Sequence, residues 1–334
     1  MNHYRLKIEL KSALGTKLMA DTIWGHICYG ILFNEGEEKL NEFLKGYKEG
    51  SPPLILSTPF FEGYLPVPKF VHKDLLNISK LQEYRKLKKR KKINYIPAEK
   101  LLDGKDIDID EIINTEISNN EKTERKKYFV SSEETRMRNV IDRISNSTSE
   151  DGIFTVNEYW LNQKIEEKGN YDEKYLPAIF DIYIISVYDK KRVVELFKNG
   201  FAGGYGADAS TGKGHIEVNE NIEEIKLPQY GNAAIALAPF VLSYDEYESL
   251  KEVDGNKSLF ADVWTKYPKV HNSMPNLTNP FKKPIIFYRE GATMQFKEDI
   301  KNVEFVGKCI DKVHHIPTIM QYALSPLILI NLKA

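Results

Sequence analysis

Cysteine is scarce in this sequence. Only two of the 334 residues are cysteines, Cys28 and Cys309, and they lie in separate halves of the chain without a CxxC spacing. A disulfide framework or a zinc knuckle needs more thiols at closer spacing, so both classes are excluded. Two isolated thiols suit a protein of a reducing compartment.

Long apolar runs are missing as well. The most apolar stretches, residues 233–242 and 327–330, are much shorter than the roughly 20 residues that a membrane-spanning helix needs. Residues 1–11 alternate apolar and charged side chains, unlike the apolar core of a signal peptide. We therefore expect a cytoplasmic protein.

An excess of either charge is also absent. The 47 lysines and arginines are balanced by 48 aspartates and glutamates, which gives a net charge of −1 at pH 7. This balance excludes a nucleic-acid-binding surface that is basic throughout. Any contact with phosphate must come from local clusters of cations and from backbone N–H groups.

Sequence motifs of catalysis and metal binding are not found. The seven histidines show no HxxH or HExxH spacing, and there is no G-x-S-x-G motif or paired-carboxylate pattern. We expect no metal and no organic cofactor.

Both halves of the chain begin with a strand, a helix and a strand. Residues 4–10 alternate as a half-buried strand, Asp21 would cap the following helix, and residues 37–48 and 54–56 predict a second helix and a strand. The same order returns in the second half at residues 178–187, 190–198 and 215–218. This pattern predicts an α+β fold of two ferredoxin-like (RRM-like) domains, residues 1–165 and 166–334.

Two charged segments lie within the first half of the chain. Residues 79–128 are charged and poor in large apolar residues, which predicts an insertion that projects from the first domain. The segment RMRNVIDR that follows predicts a basic helix, whose Arg136, Arg138 and Arg143 could bind phosphate or stack on bases. A solvated basic helix face is an equally good interpretation of these arginines.

A glycine-rich loop, GGYGADASTGKG, occupies residues 203–214. Glycine permits positive φ and close approach of a second backbone, and successive N–H groups in such turns can bind anions. Hydroxyls and one lysine in the loop would add contacts to phosphate oxygens. The candidate phosphate-binding residues are Gly203, Gly204, Gly206, Ser210, Thr211, Gly212, Lys213 and Gly214. Tyr205 is expected to pack into the core rather than stack on a base.

Other phosphate-binding motifs do not fit this loop. A Walker loop needs four residues between its glycines, whereas five separate Gly206 from Gly212. A dinucleotide fingerprint runs strand, loop, helix, but the order predicted here is helix, loop, strand. A loop that holds an RNA backbone and a plain flexible connection are the remaining interpretations.

Several segments in this order resemble one known family. ADTIWGH at residues 20–26, GYLPVP at 63–68, RNVIDRISNS at 138–147 and the glycine-rich loop resemble the repeat-associated RNA-binding (RAMP) superfamily of CRISPR proteins, and within it the Csm-four subunits of type III-A effector complexes. Two positions depart from the family pattern. Ala13-Leu14-Gly15 stands in place of a His-x-Gly, and Ser145-Asn146 in place of a Thr-Gly, although asparagine tolerates the left-handed conformation.

The resemblance implies a non-catalytic subunit that caps the 5′ repeat-derived handle of a guide RNA (crRNA). Such a subunit docks the large polymerase-like subunit on one side and a backbone subunit on the other. A protruding thumb bends or splays the guide near the handle. The resemblance further implies indirect contact with target RNA and no homo-oligomer.

Two other functions remain open. A guide-processing endoribonuclease of the same superfamily would use His26 or His72 as a general acid or base. In that group the glycine-rich loop lies close to the C-terminus, whereas 120 residues follow Gly214 here. A protein-docking module without direct RNA contact is the third interpretation.

Overall fold

A computed structural model describes residues 1–70, 88–104, 106–122, 125–167, 174–253, 255–270 and 279–332 of the chain. The helices are α1 Ala20–Glu35, α2 Glu37–Lys48, α3 Glu99–Leu102, α4 Ile109–Lys122, α5 Lys190–Phe201 and α6 Tyr244–Ser249. The strands are β1 Asn2–Leu10, β2 Leu54–Leu56, β3 Phe60–Phe61, β4 Tyr64–Pro66, β5 Tyr95–Pro97, β6 Asp106–Ile107, β7 Arg125–Asp142, β8 Ser147–Glu167, β9 Lys174–Pro177, β10 Ile179–Ser186, β11 Ile216–Val218, β12 Glu223–Glu224, β13 Tyr230–Ala236, β14 Glu252–Val253, β15 Asn256–Lys257, β16 Leu259–Phe260, β17 Val263–Lys266, β18 Ile285–Tyr288, β19 Thr293–Lys301, β20 Phe305–Gly307 and β21 Leu324–Leu332.

The first sheet belongs to a ferredoxin-like unit. Its strands come from two separate parts of the chain, residues 2–56 and residues 179–218. Its strand order is β11-β1-β10-β2, with all neighbours antiparallel. Numbered along the chain, this is the order 4-1-3-2 of a βαββαβ unit. Helices α1 and α5 cross closely on one face, since a Cβ added to Gly30 would lie 2.8 Å from the backbone nitrogen of Gly200.

This pairing corrects the predicted domain boundary between residues 165 and 166. Strand β1 pairs with β10 along its length, from Asn2 opposite Ser186 to Glu9 opposite Ile179. The two strand–helix–strand patterns in the sequence are therefore the two halves of one unit, and residues 57–178 are inserted between them. The glycine-rich loop belongs to this first unit, not to a second domain.

The second sheet repeats the strand order but not the helices. Read from the opposite edge, strands β21-β13-β19-β16 again lie in the order 4-1-3-2. Strand β20 extends the sheet beyond β21, and β6 pairs parallel with β21. Residues 302–323, all described, contain the short strand β20 and turns where the second helix of a ferredoxin-like unit would lie. The α+β class is thus confirmed, and the second domain is not a complete ferredoxin-like unit.

Both faces of the second sheet are buried. Ile235 and Ile328 pack in one cluster with Tyr183 of the first sheet, whereas Ala236 and Leu329 pack on the other side. This follows from the alternation of side chains along a strand. The described part of the charged insertion covers the first of these faces with Leu101, Ile107 and Ile113. It therefore packs on the sheet instead of projecting, and residues 71–87 lie outside the described part.

The element that projects is the long hairpin β7–β8. Strand β7 has 18 residues, a length of roughly 60 Å, and it pairs with β8 up to Asp142 opposite Ser147. The turn at its tip contains Asn146 at φ 53°, so asparagine does take the left-handed conformation there. The outer half exposes the apolar side chains of Met137, Val140, Ile141, Ile144, Ile153 and Phe154.

Candidate nucleic-acid interface

The glycine-rich loop is an ordered connection between α5 and β11. The predicted order helix, loop, strand is therefore confirmed. The N–H group of Gly206 donates to Nε2 of His26 over 3.0 Å, and that of Ala207 donates to Oγ1 of Thr16 over 2.9 Å. The N–H group of Gly214 donates to the carbonyl of Ala13. The loop thus lies against residues 13–16, where the sequence departs from the family pattern.

The glycines serve close approach within the chain itself. A Cβ on Gly214 would lie 2.0 Å from the carbonyl oxygen of Tyr205, and one on Gly206 would lie 2.6 Å from Cβ of Thr16. Gly204 is crowded by Ala209 in the same way, whereas a Cβ on Gly203 or Gly212 would meet no atom within 4 Å. The predicted need for close backbone approach is correct, but at these three crowded glycines the approaching atoms belong to the protein.

Most N–H groups of the loop are already used. Those of residues 204–207 and 211–214 donate to acceptors within the chain. Within the described residues, the N–H groups of Gly203, Asp208, Ala209 and Ser210 have no partner. The last three are consecutive and begin at Asp208, which is left-handed at φ 62°. The predicted nest of glycine N–H groups is therefore replaced by a shorter row of donors at the loop tip.

Hydroxyl groups flank these open donors. Ser210 and Thr211 are exposed, as the sequence predicts for phosphate-contacting residues. The Thr211 hydroxyl donates to the carbonyl of Asp208 over 2.9 Å, which leaves its lone pairs as acceptors. The Ser210 hydroxyl remains available to donate.

Lys213 does not point toward solvent. Its side chain is 7% exposed, and its ammonium contacts Oδ2 of Asp208 at 2.9 Å and Oε1 of Glu158 at 3.0 Å. The expectation that Lys213 presents a free charge to phosphate is therefore wrong. The side chain folds back because two carboxylates offer it a buried ion pair. It holds the loop against strand β8.

Arg136 and Arg138 reach the same carboxylates from the hairpin. They lie on strand β7 rather than on the predicted helix, and their spacing of two residues puts them on one face. Arg136 Nε lies 3.0 Å from Glu158, and Arg138 lies 3.6 Å from Asp208 and 3.9 Å from Glu158. Three cations thus surround two carboxylates, and the Arg136 side chain remains 55% exposed.

Arg143 is separate from this cluster. It lies in the turn at the hairpin tip, five residues beyond Arg138, which is roughly 16 Å along an extended strand. Its side chain is exposed and forms no ion pair among the described residues. The structure therefore brings Arg136 and Arg138 to the loop but leaves Arg143 with the exposed apolar tip.

Sequence reasoning missed Glu158, the carboxylate that joins the hairpin to the loop. Its side chain is 5% exposed and contacts both Lys213 and Arg136. Its partners lie far along the chain, so no local pattern could identify it. Asp208 gave a better signal, because an acidic residue five positions before Lys213 in a tight loop is a natural partner for that lysine.

Tyr205 and His26 have structural roles beside the loop. Tyr205 is fully buried; its hydroxyl donates to the carbonyl of Lys17 and accepts from the N–H group of Met19. This confirms the expectation that it packs in the core, and burial raises its pKa. The His26 ring packs on Tyr205 at 5.1 Å while its Nε2 accepts from the loop. His72, the other histidine considered for catalysis, lies outside the described residues.

Neither a metal centre nor a membrane span is found in the described part of the chain. No group of three histidine, cysteine, aspartate or glutamate side chains there could hold an ion. No helix there is long and apolar enough to cross a bilayer.

Comparison with known proteins gives matches among solved structures. No protein-family model matches the sequence, and a search of curated proteins finds no match. The chain is similar to a chain in the crystal structure of the Csm3-Csm4 subcomplex in the type III-A CRISPR-Cas interference complex. The TM-score is 0.52 at 13% identity, over 99% of this chain and 100% of that chain.

Two further structures are more distant. A chain of the Csm1-Csm4 cassette in complex with pppApA gives a TM-score of 0.47 at 14% identity, over 99% of both chains. A chain of the Type III-B Cmr-beta bound to cognate target RNA and AMPPnP gives 0.44 at 12% identity, over 87% of this chain and 86% of that chain. At 13% identity, structural similarity to the chain of the Csm3-Csm4 subcomplex establishes the fold alone. The chain therefore has the fold of a chain from the Csm3-Csm4 subcomplex, which confirms the resemblance in its sequence at the level of fold.

Proposed function

We propose that this chain is a non-catalytic subunit of a type III-A CRISPR (Csm) effector complex in the cytoplasm. It binds and caps the repeat-derived 5′ handle of the crRNA, and it docks the large polymerase-like subunit and the backbone subunit. The fold supports this proposal, because the similarity to a chain of the Csm3-Csm4 subcomplex spans 99% of this chain. The order of the family-like segments in the sequence supports it independently.

The observation that carries RNA binding is the joining of the glycine-rich loop to the root of the hairpin. Glu158 and Asp208 draw Arg136, Arg138 and Lys213 into one cluster. Open N–H donors at the loop tip then lie beside exposed guanidinium groups. Guanidinium groups and backbone N–H groups are both common donors to phosphate in proteins.

The path of the guide follows from this arrangement. A phosphate accepts hydrogen bonds from the N–H groups of Ala209 and Ser210 and from the Ser210 hydroxyl. The next phosphates contact Arg136 and Arg138 along the hairpin. The exposed tip, with Ile144 and Arg143, then meets the bases near the end of the handle. In this proposal the hairpin β7–β8 is the thumb, and the segment 79–128 is not.

Catalysis is not part of the proposal. An acid–base role for His26 would need its Nε2 to face the RNA, but that nitrogen accepts a hydrogen bond from the N–H group of Gly206. Turning the ring outward would leave the N–H group of Gly206 without an acceptor and would remove the contact between the ring and Tyr205.

Handle binding can be tested with the purified chain. An end-labelled guide RNA that carries the 5′ handle is compared with one whose handle is scrambled, at two salt concentrations, and the samples are run on a denaturing gel. We expect intact RNA and tighter binding of the authentic handle. Arg136→Gln should lower the dependence of log affinity on log salt by about 0.7, the value for one phosphate contact on a single strand.

The control for this experiment is Arg289→Gln, the same substitution at a guanidinium that is 48% exposed and lies outside the loop and the hairpin. Equal binding of both RNAs contradicts handle recognition. Cleavage at the repeat boundary that disappears in His26→Ala or His72→Ala favours the endoribonuclease instead. An authentic handle that does not bind at either salt concentration favours the docking module.

A further inference from the structure

A second surface belongs to the second half of the chain and shares no residue with the glycine-rich loop or the hairpin. An open groove of about 370 Å³ lies between helix α6 and the two-stranded ribbon β17–β18. We name it the ribbon groove. The side chains that line it are mainly apolar and include Val241, Leu242, Tyr244, Tyr247, Val263 and Ile286.

The apolar side chains of this groove face solvent. Val263 is 64% exposed, Ile286 is 66% exposed and Tyr244 is 78% exposed. Alternation along the ribbon explains the contrast with Phe287, which is fully buried on the opposite face. Single exposed apolar residues are ordinary, but a contiguous set is typical of a surface that binds a partner.

The groove is built rigidly. Ser243 caps α6 with a capping box, in which its hydroxyl accepts from the N–H group of Glu246 and the Glu246 carboxylate accepts from the N–H group of Ser243. The second Glu246 oxygen accepts from the N–H group of Gly307 over 2.8 Å. Because Tyr244 and Tyr247 are three residues apart, the anchored helix presents both on one side. Rigid tyrosines of this kind often dominate binding energy at interfaces.

One carboxylate on helix α6 is unpaired within the described part of the chain. Asp245 is exposed and has no ion pair among the described residues, whereas Glu248 is paired with Lys257 at 3.2 Å and Asp262 with Lys69 at 2.9 Å. An unpaired carboxylate repels phosphate, so the charge disfavours RNA as the occupant. It is complementary to a lysine or arginine that lies next to an apolar side chain.

We propose that the ribbon groove docks another protein subunit of the effector complex. The docking segment presents an apolar side chain to Val263 and Ile286 and a flanking lysine or arginine to Asp245. This inference rests on the proposed function, because it assumes that the chain works inside a multi-subunit complex. It goes further in assigning the docking to this surface and this partner chemistry.

Site-specific photocrosslinking tests the surface directly. The photoreactive amino acid p-benzoylphenylalanine replaces Tyr244, and in a second sample Ile144 of the hairpin tip, in cells that produce the other complex subunits and the guide RNA. We expect the Tyr244 position to crosslink to a different protein subunit, at a segment with a lysine or arginine beside an apolar residue. We expect the Ile144 position to crosslink to RNA.

The outcomes separate the two proposals. If the chain purifies with its complex but the Tyr244 position crosslinks to RNA, to a second copy of the chain or to nothing, the docking proposal is wrong and the proposed function stands. If no other subunit and no guide RNA purifies with the chain, the proposed function fails and the docking proposal fails with it.

Substitutions provide a second readout that depends on the partner's chemistry. Ile286→Asp and Asp245→Arg should each lower recovery of the crosslinked subunit at least fivefold and leave guide RNA recovery unchanged. Val187→Asp and Glu38→Arg change exposed residues of the first unit in the same way and serve as controls. Full recovery of the subunit with both groove variants overturns the proposal. Thermal unfolding of each variant shows whether it is folded.

Discussion

Residue identity in the glycine-rich loop follows from how closely the chain approaches itself. Gly214 has φ +67° and no room for a Cβ, whereas Gly212 has φ +90° and open space around it. Gly214→Ala should therefore cost more than about 3 kcal/mol of unfolding free energy, since strain and a backbone clash add. Gly212→Ala should cost about 1 kcal/mol, from the left-handed conformation alone. Urea unfolding measures both, and equal costs would contradict the packing of the loop.

Glu158 is the residue that joins the loop to the hairpin. Glu158→Gln leaves the Lys213 ammonium, 7% exposed, with a single carboxylate partner. Removing one member of a buried ion pair is costly, so we expect a loss of about 1–3 kcal/mol in unfolding free energy together with weaker RNA binding. The matched variant Glu134→Gln, at a side chain that is 52% exposed, should change stability by less than about 0.5 kcal/mol. If the two variants unfold alike, Glu158 does not hold the loop.

Asp21 shows how a local interpretation can fail. The sequence predicts it as the cap of α1, but that position is Met19, and Asp21 instead accepts from Lys266 Nζ at 2.6 Å and Gln321 Nε2 at 2.7 Å. The side-chain oxygen Oε1 of Gln321 in turn accepts from Lys282 Nζ over 3.0 Å. A buried network thus connects α1 to the second sheet unit, through partners that no local pattern contains.

Lys282 in this network gives a pH-dependent prediction. Burial lowers the pKa of its ammonium to about 8, below the value of about 10.4 expected in the unfolded chain. Between these values the unfolded state binds more protons, so Lys282 contributes increasing stability as pH rises. The unfolding free energy of the wild type, relative to Lys282→Met, should rise by about 1–2 kcal/mol from pH 7.5 to 9.5. Urea unfolding across this range checks it, and a constant difference would mean that Lys282 is not desolvated.

At the scale of elements, regular patterns were predicted well and the hairpin was not. Alternation identified β1, and helical spacing identified α2 with its observed ends, Glu37 and Lys48. The segment RMRNVIDR was predicted as a basic helix, but it pairs with β8, where Arg138 lies opposite Phe154. Cross-strand partners decide such a segment, and its own composition does not.

The hairpin tip gives a prediction about the guide. Ile144 is 97% exposed and Phe154 is 45% exposed, so the double variant Ile144→Ser, Phe154→Ser should leave stability within about 0.5 kcal/mol. If the tip unstacks bases, the fluorescence of a guide with 2-aminopurine next to the handle should increase when it binds the wild type. The increase should be much smaller when it binds the variant. Val187→Ser, at a side chain that is 59% exposed on the first unit, is the control. Equal brightening with tip variant and wild type contradicts the role of the hairpin as thumb.

At the scale of the molecule, the sequence predicts the α+β class but not the division into units. The two strand–helix–strand patterns are real, yet the paired residues of β1 and β10 lie 170 to 184 positions apart. Neither pattern shows whether its strands form a sheet of their own or pair with the strands of the other pattern. Pairing over that distance is decided by packing of the whole chain. The candidate loop was found because its glycines are dense in the sequence. The role of Lys213 in this loop was misassigned because no local sequence pattern identifies Glu158 as its partner.

The central claim is that the loop tip and the hairpin form one surface for the crRNA handle. The most direct measurement is photocrosslinking of the assembled complex with guides that carry single 4-thiouridines in the handle, followed by mapping of the crosslinked peptides. The account predicts crosslinks to residues 207–212 and, from neighbouring nucleotides, to residues 136–144. Crosslinks confined to the lysine-rich residues 88–92, or to the exposed face of the first sheet, would contradict it.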